Sequence, residues 1–205
     1  MKKTLIVDYG LCNLDSVQRA LEENGAQAKV STDPKELDWA DRIVLPGVGS
    51  FADGMRGLHH YGWPEPLRTA VLEQKKPLLG ICLGMQLLAT RGEEGENSPG
   101  LDLISGSVVR LEATHPGERI PHVGWNEIHF QEDCPILKDI QPGCDFYFVH
   151  SFHFRTSQEK DAVAKTPYCG HFTSIVRHGD VFGVQFHPEK SQVNGFRLLR
   201  NFLEY

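Results

Sequence analysis

The sequence predicts an α/β fold: an open, largely parallel sheet with helices on both faces, extended in its C-terminal half by antiparallel strands. Three observations predict it. Short apolar runs alternate with segments of helical periodicity through residues 4–90, the pattern of strand-helix-strand units in a parallel sheet covered on both faces. From residue 106 onward, runs of strand composition follow one another with only Gly, Pro and Asp punctuation between them. The chain then closes on an amphipathic helix in which Phe196, Leu199, Phe202 and Leu203 share one face.

The elements follow in order. TLIVD (4–8) is a short apolar run that fits a buried strand, and Asn13 or Asp15 can cap a helix bearing Val17, Ala20 and Leu21 before Gly25 ends it. KVST (29–32) is a second strand, followed by a helix over DPKELDWA, where Asp33 suits the cap and Pro34 the first helical position. RIVLPG (42–47) is a third strand. Helical material within 51–75 leads to a fourth, PLLGI (77–81), which enters another helix from Gly84. RGEEGENSPG (91–100) is polar and rich in Gly and Pro, and is expected to be a mobile loop. Strands are expected at 106–112, 123–130, 145–154 and 161–166, and SIVRHGDVFGVQF (174–186) reads as a hairpin turning at His178-Gly179-Asp180.

Composition limits what the chain can do. At 205 residues it is expected to fold as one unit, 1–205, with 40% hydrophobic and 23% charged residues as in an ordinary globular protein. Twenty-one Lys and Arg against 27 Asp and Glu give a net charge of −6 with no basic block, which argues against nucleic acid as a partner. The apolar run of the opening MKKTLIVDYG stops at Asp8, too short for a signal-peptide core, and no apolar stretch approaches the roughly 20 residues of a membrane span. A cytosolic chain without a membrane partner is expected. Cys12, Cys82, Cys134, Cys144 and Cys169 are an odd set without a CxxC pair, against both a disulfide framework and a zinc knuckle. His59-His60 and His150-x-x-His153 lack carboxylate or cysteine companions, so they read as surface or core residues; no metal and no bound cofactor are expected.

Three segments carry chemistry. In PLLGICLGMQLL (77–88), Cys82 stands where a buried strand meets a helix, with Gly80 and Gly84 two positions to either side. That spacing allows the sharp turn of a nucleophile elbow, with the helix N-terminus favouring thiolate and able to bind an oxyanion. The alternative is a small buried hydrophobe. Second, the strand VFGVQF (181–186) delivers His187, Pro188 and Glu189; residues two apart face the same side, so Glu189 can orient an imidazole that pairs with a thiol. The alternative is a solvated strand end, and nothing in the periodicity brings His187 to Cys82 across 105 positions. Third, Gly47, Val48 and Gly49 follow the third strand at the carboxyl edge where ligands gather in such sheets, and can aim a backbone N–H at an oxyanion with the Leu83 N–H as the other donor. An ordinary turn remains possible; a phosphate loop is weaker, since neither the dinucleotide fingerprint nor a GKS/GKT ending is present.

GICLGMQLL (80–88) with the distant FHPEKS (186–191) resembles the class I glutamine amidotransferases. By that resemblance Cys82 is nucleophile, His187 acid and base, and Glu189 the orienting carboxylate, acting on glutamine. PGVGSF (46–51), PHVGWNE (121–127) and FYFVHSF (146–152) are most similar to members that pass ammonia to a (β/α)8-barrel cyclase in histidine biosynthesis, and the likeness runs from DYG-x-x-NL (8–14) to NFLE (201–204). It implies that Gln86, Glu94 and the Ser151 region hold the glutamine, and that Asn13, Trp125 and Lys190 lie at the partner interface. Their plain alternatives are a helix-surface amide, a loop charge, a strand hydroxyl, a capping Asn, a core Trp and a surface Lys. Cys12 stands where the family usually has Gly, and Val123 where Met is common. Competing readings are a paralogous amidotransferase serving a sugar-modifying synthetase, a cysteine peptidase or γ-glutamyl hydrolase, and a non-catalytic flavodoxin-like binding module.

Overall fold

The computed structural model describes residues 1–95, 97–131 and 133–205. The elements in chain order are β1 (Lys3–Val7), α1 (Leu14–Glu23), β2 (Gln27–Ser31), a 3-10 helix (Pro34–Trp39), β3 (Arg42–Gly47), α2 (Phe51–His60) and α3 (Pro64–Arg68), the last running into a π-helical turn (Thr69–Glu73). Then come β4 (Leu78–Cys82), α4 (Leu83–Leu87), β5 (Arg91–Gly92), β6 (Ser98–Pro99), β7 (Gly106–Arg110), β8 (His122–Ile128), β9 (Cys144–His150) and β10 (Phe152–Thr156). β11 (Ala162–Thr166), β12 (Phe172–His178), β13 (Val181–Val184) and α5 (Gln192–Glu204) complete the chain.

An 11-stranded sheet runs in the order β2-β1-β3-β4-β13-β12-β10-β7-β5-β6, with β11 on β12, while β8 and β9 form a separate antiparallel ribbon. The strands from β2 to β13 pair in parallel, and the direction reverses between β13 and β12. The inner strands carry apolar runs, Leu5–Val7 in β1 and Ile43–Leu45 in β3, because both of their faces are covered, whereas the edge strand β2 (QAKVS) is only half-buried. Leu5 and Val7 pack with Leu45, Phe51, Leu58 and Leu83 on one side. Ile6 packs with Val17, Leu21, Leu199 and Phe202 on the other. Thus α2, α3 and α4 cover one face, and α1, α5 and the β8–β9 ribbon the other. Fully buried Leu199 and Phe202 each stabilise the docking of α5 by about 1.5–3 kcal/mol, and Asn201 Nδ2 adds bonds to the Ile136 and Lys138 carbonyls at 3.1 and 2.6 Å. On this helix Leu198 is buried, whereas the expected Phe196 is only partly so.

Several elements differ from the expectation. The segment after Pro34 is a 3-10 helix, capped as expected by Asp33 Oδ1 accepting from the Lys35 N–H at 3.0 Å. Asn13 stands at the N-cap of α1 but its side chain makes no capping bond. The run 145–154 is two strands: β9 pairs with β8, and after a break at Ser151 the chain joins the large sheet as β10 on β7. Continuous β-forming composition cannot reveal that break, which is fixed by a tertiary bond from the Leu111 N–H to the Ser151 carbonyl at 2.9 Å. Within 91–100, β5 and β6 pair antiparallel, and the Glu93 N–H is bound to the Val108 carbonyl at 2.9 Å. The expected mobile loop is therefore tied to the sheet at both arms, with Glu96 outside the described residues. Among the described residues, no helix is long and apolar enough to cross a membrane, and all five cysteines are free.

Candidate active site

β4 ends at Cys82 with φ +54° and ψ −111°, a conformation that L-residues avoid and that persists only where surrounding packing imposes it. The packing here is the close approach of α4 to the sheet. A Cβ on Gly84 would overlap the Leu45 carbonyl oxygen of β3, and one on Gly80 would lie 2.7 Å from the Gly84 carbonyl oxygen and 2.8 Å from Met85 Cα. Both contacts are with backbone, which cannot swing aside. The helix that follows has only five residues, so its macrodipole is small; what it offers at Cys82 is the set of first-turn N–H groups with no partner inside the helix.

Strand register explains how distant segments meet. β4 lies between β3 and β13, with Gly47 level with Cys82 and Val184 level with Ile81. The loop 47–49 and the segment beginning at Gln185 therefore leave the sheet at the same carboxyl edge as the thiol. His187 is held there by its own backbone: its N–H donates to the Tyr147 carbonyl at 2.9 Å, and its carbonyl accepts from Ser191 Oγ at 2.6 Å. The same Ser191 Oγ accepts from the Tyr147 N–H at 3.0 Å.

His187 Nδ1 lies 2.8 Å from Glu189 Oε1, and the side chains are 3% and 1% exposed. A carboxylate can only accept, so Nδ1 is the donor, and Nε2, buried without a hydrogen-bond partner, is the nitrogen left to serve the cavity. Burial lowers the imidazole pKa, but the Cys82 thiol and the Glu189 carboxylate outweigh it and raise the group to about 10. Cys82 and His187 line one cavity of about 300 Å³, at the lower end of the usual size for a small-molecule site.

The other expected residues fall as follows. Val48, Gly49, Leu83, Gln86, Glu94 and Ser151 line the same cavity. The Val48 N–H, expected as an oxyanion donor, is committed to the Leu11 carbonyl at 2.8 Å, so this conformation of the loop does not offer it to Cys82. Gln86 is buried, with Nε2 bound to the Phe152 carbonyl at 3.0 Å and to Gln185 Oε1 at 3.1 Å. One oxygen of Glu94 accepts from the Phe51 N–H at 2.7 Å, capping α2. Trp125 is 48% exposed beside Tyr147 on the ribbon, Lys190 is exposed and Asn13 half-buried. Exposed Val48 and Val149 border the cavity mouth, and Val149 pairs across the ribbon with exposed Val123.

Residues that sequence reasoning missed stand next to these. Gln185 Nε2 lies 3.8 Å from Cys82 Sγ, and the thiol lies 3.9 Å from the Val149 carbonyl oxygen. The position of Gln185 two residues before His187 was the available signal, through strand alternation. His150, read from the sequence as surface or core, lines the cavity and pairs with buried His122. No sequence spacing marks that pair, because the two residues meet only through the β8–β9 register.

The buried histidines set a pH dependence of stability. Burial lowers His122 and His153 to about 4 and His150 to about 3, so below pH 6.5 the unfolded chain takes up protons first and stability falls with pH. His187 works in the opposite sense: its contribution is complete below about 6.5 and is lost as pH rises through about 10. Urea unfolding from pH 5 to 9 is expected to give a stability maximum near neutrality; stability still rising from pH 6.5 to 5 would contradict the buried, neutral state of these rings.

Three comparisons bear on this arrangement. A family model described as glutamine amidotransferase class-I matches residues 5–204. The imidazole glycerol phosphate synthase subunit HisH of Moorella thermoacetica is 45% identical over 204 residues, covering 100% of this chain and 95% of the relative. The protein of the same name from Methanosarcina acetivorans is 44% identical over 209 residues, covering 100% and 99%. Among solved structures, PurLQS from Thermotoga maritima superposes with a TM-score of 0.77 at 21% identity, covering 100% of this chain and 99% of that one. A glutamine amidotransferase, also from Thermotoga maritima, superposes with a TM-score of 0.67 at 20% identity, covering 92% and 76%. These two likenesses are of fold.

Proposed function

This chain belongs to the class-I glutamine amidotransferases, and on that premise we propose that it is the glutaminase subunit of an imidazole glycerol phosphate synthase, with Cys82, His187 and Glu189 as its catalytic residues. The observation that carries the reading is that His187, buried and paired with Glu189, shares one cavity with a thiol on a strained strand-to-helix turn.

The chemistry follows from the geometry. The Cys82 sulfur attacks the carboxamide carbon of glutamine, and the C–N bond breaks as His187 Nε2 gives its proton to departing ammonia, leaving a γ-glutamyl thioester. An imidazole raised to about 10 holds that proton at neutral pH. Having given its proton to ammonia, and with the thiol now acylated and no longer favouring the charged ring, the imidazole stands neutral and can take a proton from water, whose oxygen attacks the thioester carbonyl to release glutamate and the Cys82 sulfur. Glu189 keeps Nδ1 protonated through both steps. Leu83 and the 47–49 loop supply the oxyanion donors, the loop after its Val48 N–H leaves the Leu11 carbonyl.

Ammonia released into neutral water is protonated and no longer nucleophilic, so it needs a sheltered path. A (β/α)8-barrel cyclase docked on the exposed apolar residues Val48, Val123, Trp125 and Val149 supplies one, and the family resemblance adds Asn13 and Lys190 to its contacts. The test is glutamate release by the chain alone and with the cyclase and its nucleotide ligand. The expected result is a slow basal rate that rises about 10- to 100-fold in the complex. A full rate without a partner, or activation only by a sugar-modifying synthetase, would contradict the assignment.

A further inference from the structure

A run of hydrogen bonds leaves the cavity and ends on the ribbon, and its direction can be assigned from both ends. At the inner end, His150 Nδ1 lies 2.9 Å from the Phe152 carbonyl oxygen. A carbonyl only accepts, so Nδ1 carries the proton and Nε2 of the neutral ring is an acceptor. That Nε2 lies 3.1 Å from His122 Nδ1, which must therefore donate, leaving His122 Nε2 as an acceptor. At the outer end, Asn126 Oδ1 accepts from the Glu127 N–H at 2.9 Å, which fixes the amide so that Nδ2 is the atom 3.2 Å from His122 Nε2. Nδ2 can only donate. The two assignments, made independently, meet without conflict: both rings are the Nδ1–H tautomer, and each bond has one donor and one acceptor. Burial keeps both rings neutral, and His122 is further held by stacking on Tyr168 at 4.1 Å between centroids.

The inner anchor is shared with the site. The Phe152 carbonyl also accepts from Gln86 Nε2, whose second proton goes to Gln185 Oε1, and Gln185 Nε2 approaches Cys82 Sγ. With both amide protons committed, Gln86 can offer a ligand in the cavity only its Oε1, as an acceptor. Glutamine brings ammonium and carboxamide N–H donors to such a group.

We propose that Asn126, His122 and His150 are positioning residues that act through the Phe152 carbonyl to hold the Gln86 amide in the one orientation that presents Oε1 to glutamine. The proposal rests on the glutaminase reading for the identity of the ligand, and on the hydrogen bonds alone for the chain itself. The substitution His122→Phe keeps the ring stack on Tyr168 but leaves buried His150 Nε2 without a donor.

Two measurements on the full-length chain test it. Imidazole nitrogen NMR of the 15N-histidine protein, assigned with His122→Gln and His150→Gln, is expected to show both rings neutral and Nδ1-protonated at pH 7. Either ring cationic, or protonated at Nε2, would overturn the chain of bonds. In the synthase complex, His122→Phe is expected to raise KM for glutamine about tenfold while kcat changes less than about threefold, and His122→Gln, which restores a donor, to bring KM most of the way back. An unchanged KM in His122→Phe, or a joint loss of KM, kcat and thermal stability that His122→Gln does not recover, would overturn the positioning role. A wild-type complex that releases no glutamate would sink the functional reading and the positioning role together, while the spectrum would still decide whether the chain of bonds exists.

Discussion

Replacing Cys82 with alanine is expected to lower glutamine hydrolysis by the complex at least about 10⁴-fold while leaving the fold intact. The sulfur is the only nucleophile in the described wall of the cavity that stands beside a carboxylate-oriented imidazole, and no neighbour can take its place. Alanine is smaller than cysteine and meets the same backbone conformation, so stability should change little; loss of the thiol from a φ of +54° removes no packing contact of comparable size to a core leucine. Glutamate release and thermal unfolding of the same preparation separate the two effects. His187→Gln is expected to follow Cys82→Ala in rate, because nucleophile and base act as one unit and their losses do not add.

The second large effect is on folding. Gly84→Ala places a methyl group on the Leu45 carbonyl oxygen, and relief requires α4 to move off β3 or β3 to move in the sheet. Overpacking against backbone is expected to cost more than about 3 kcal/mol, read as a fall in the urea midpoint or as failure to accumulate soluble chain. The same displacement would carry Leu83 and its N–H away from the thiol, so any folded fraction should also hydrolyse glutamine poorly. A Gly84→Ala protein with wild-type midpoint and wild-type rate would mean that the turn after Cys82 is not packed as described.

How far the sequence alone leads is best seen at particular residues. The parallel strands are legible because both of their faces are buried, which writes an unbroken apolar run into TLIVD and RIVLPG. The thiol turn is legible because two glycines, each forced by a backbone contact, flank Cys82 at equal spacing. The meeting of Cys82 and His187 is not, since it depends on β13 lying beside β4 in the sheet, a fact of topology that no local pattern records. It enters only through resemblance. The break at Ser151 is hidden for the opposite reason: local composition favours strand on both sides of it, and only pairing with different partners divides the run. The His122–His150 pair and the committed Val48 N–H belong to the same class, features of register and backbone direction rather than of residue type.

Catalysis as proposed depends on a covalent bond between the Cys82 sulfur and the side-chain carbonyl carbon of glutamine. Acid quenching of the synthase complex during turnover, followed by peptide mass spectrometry, reads that bond directly. A γ-glutamyl adduct on the peptide that carries Cys82, absent from Cys82→Ala and lost when turnover is allowed to finish, is the predicted result. Glutamate release at the full rate with no adduct on that peptide, or with the adduct on another cysteine, would contradict it.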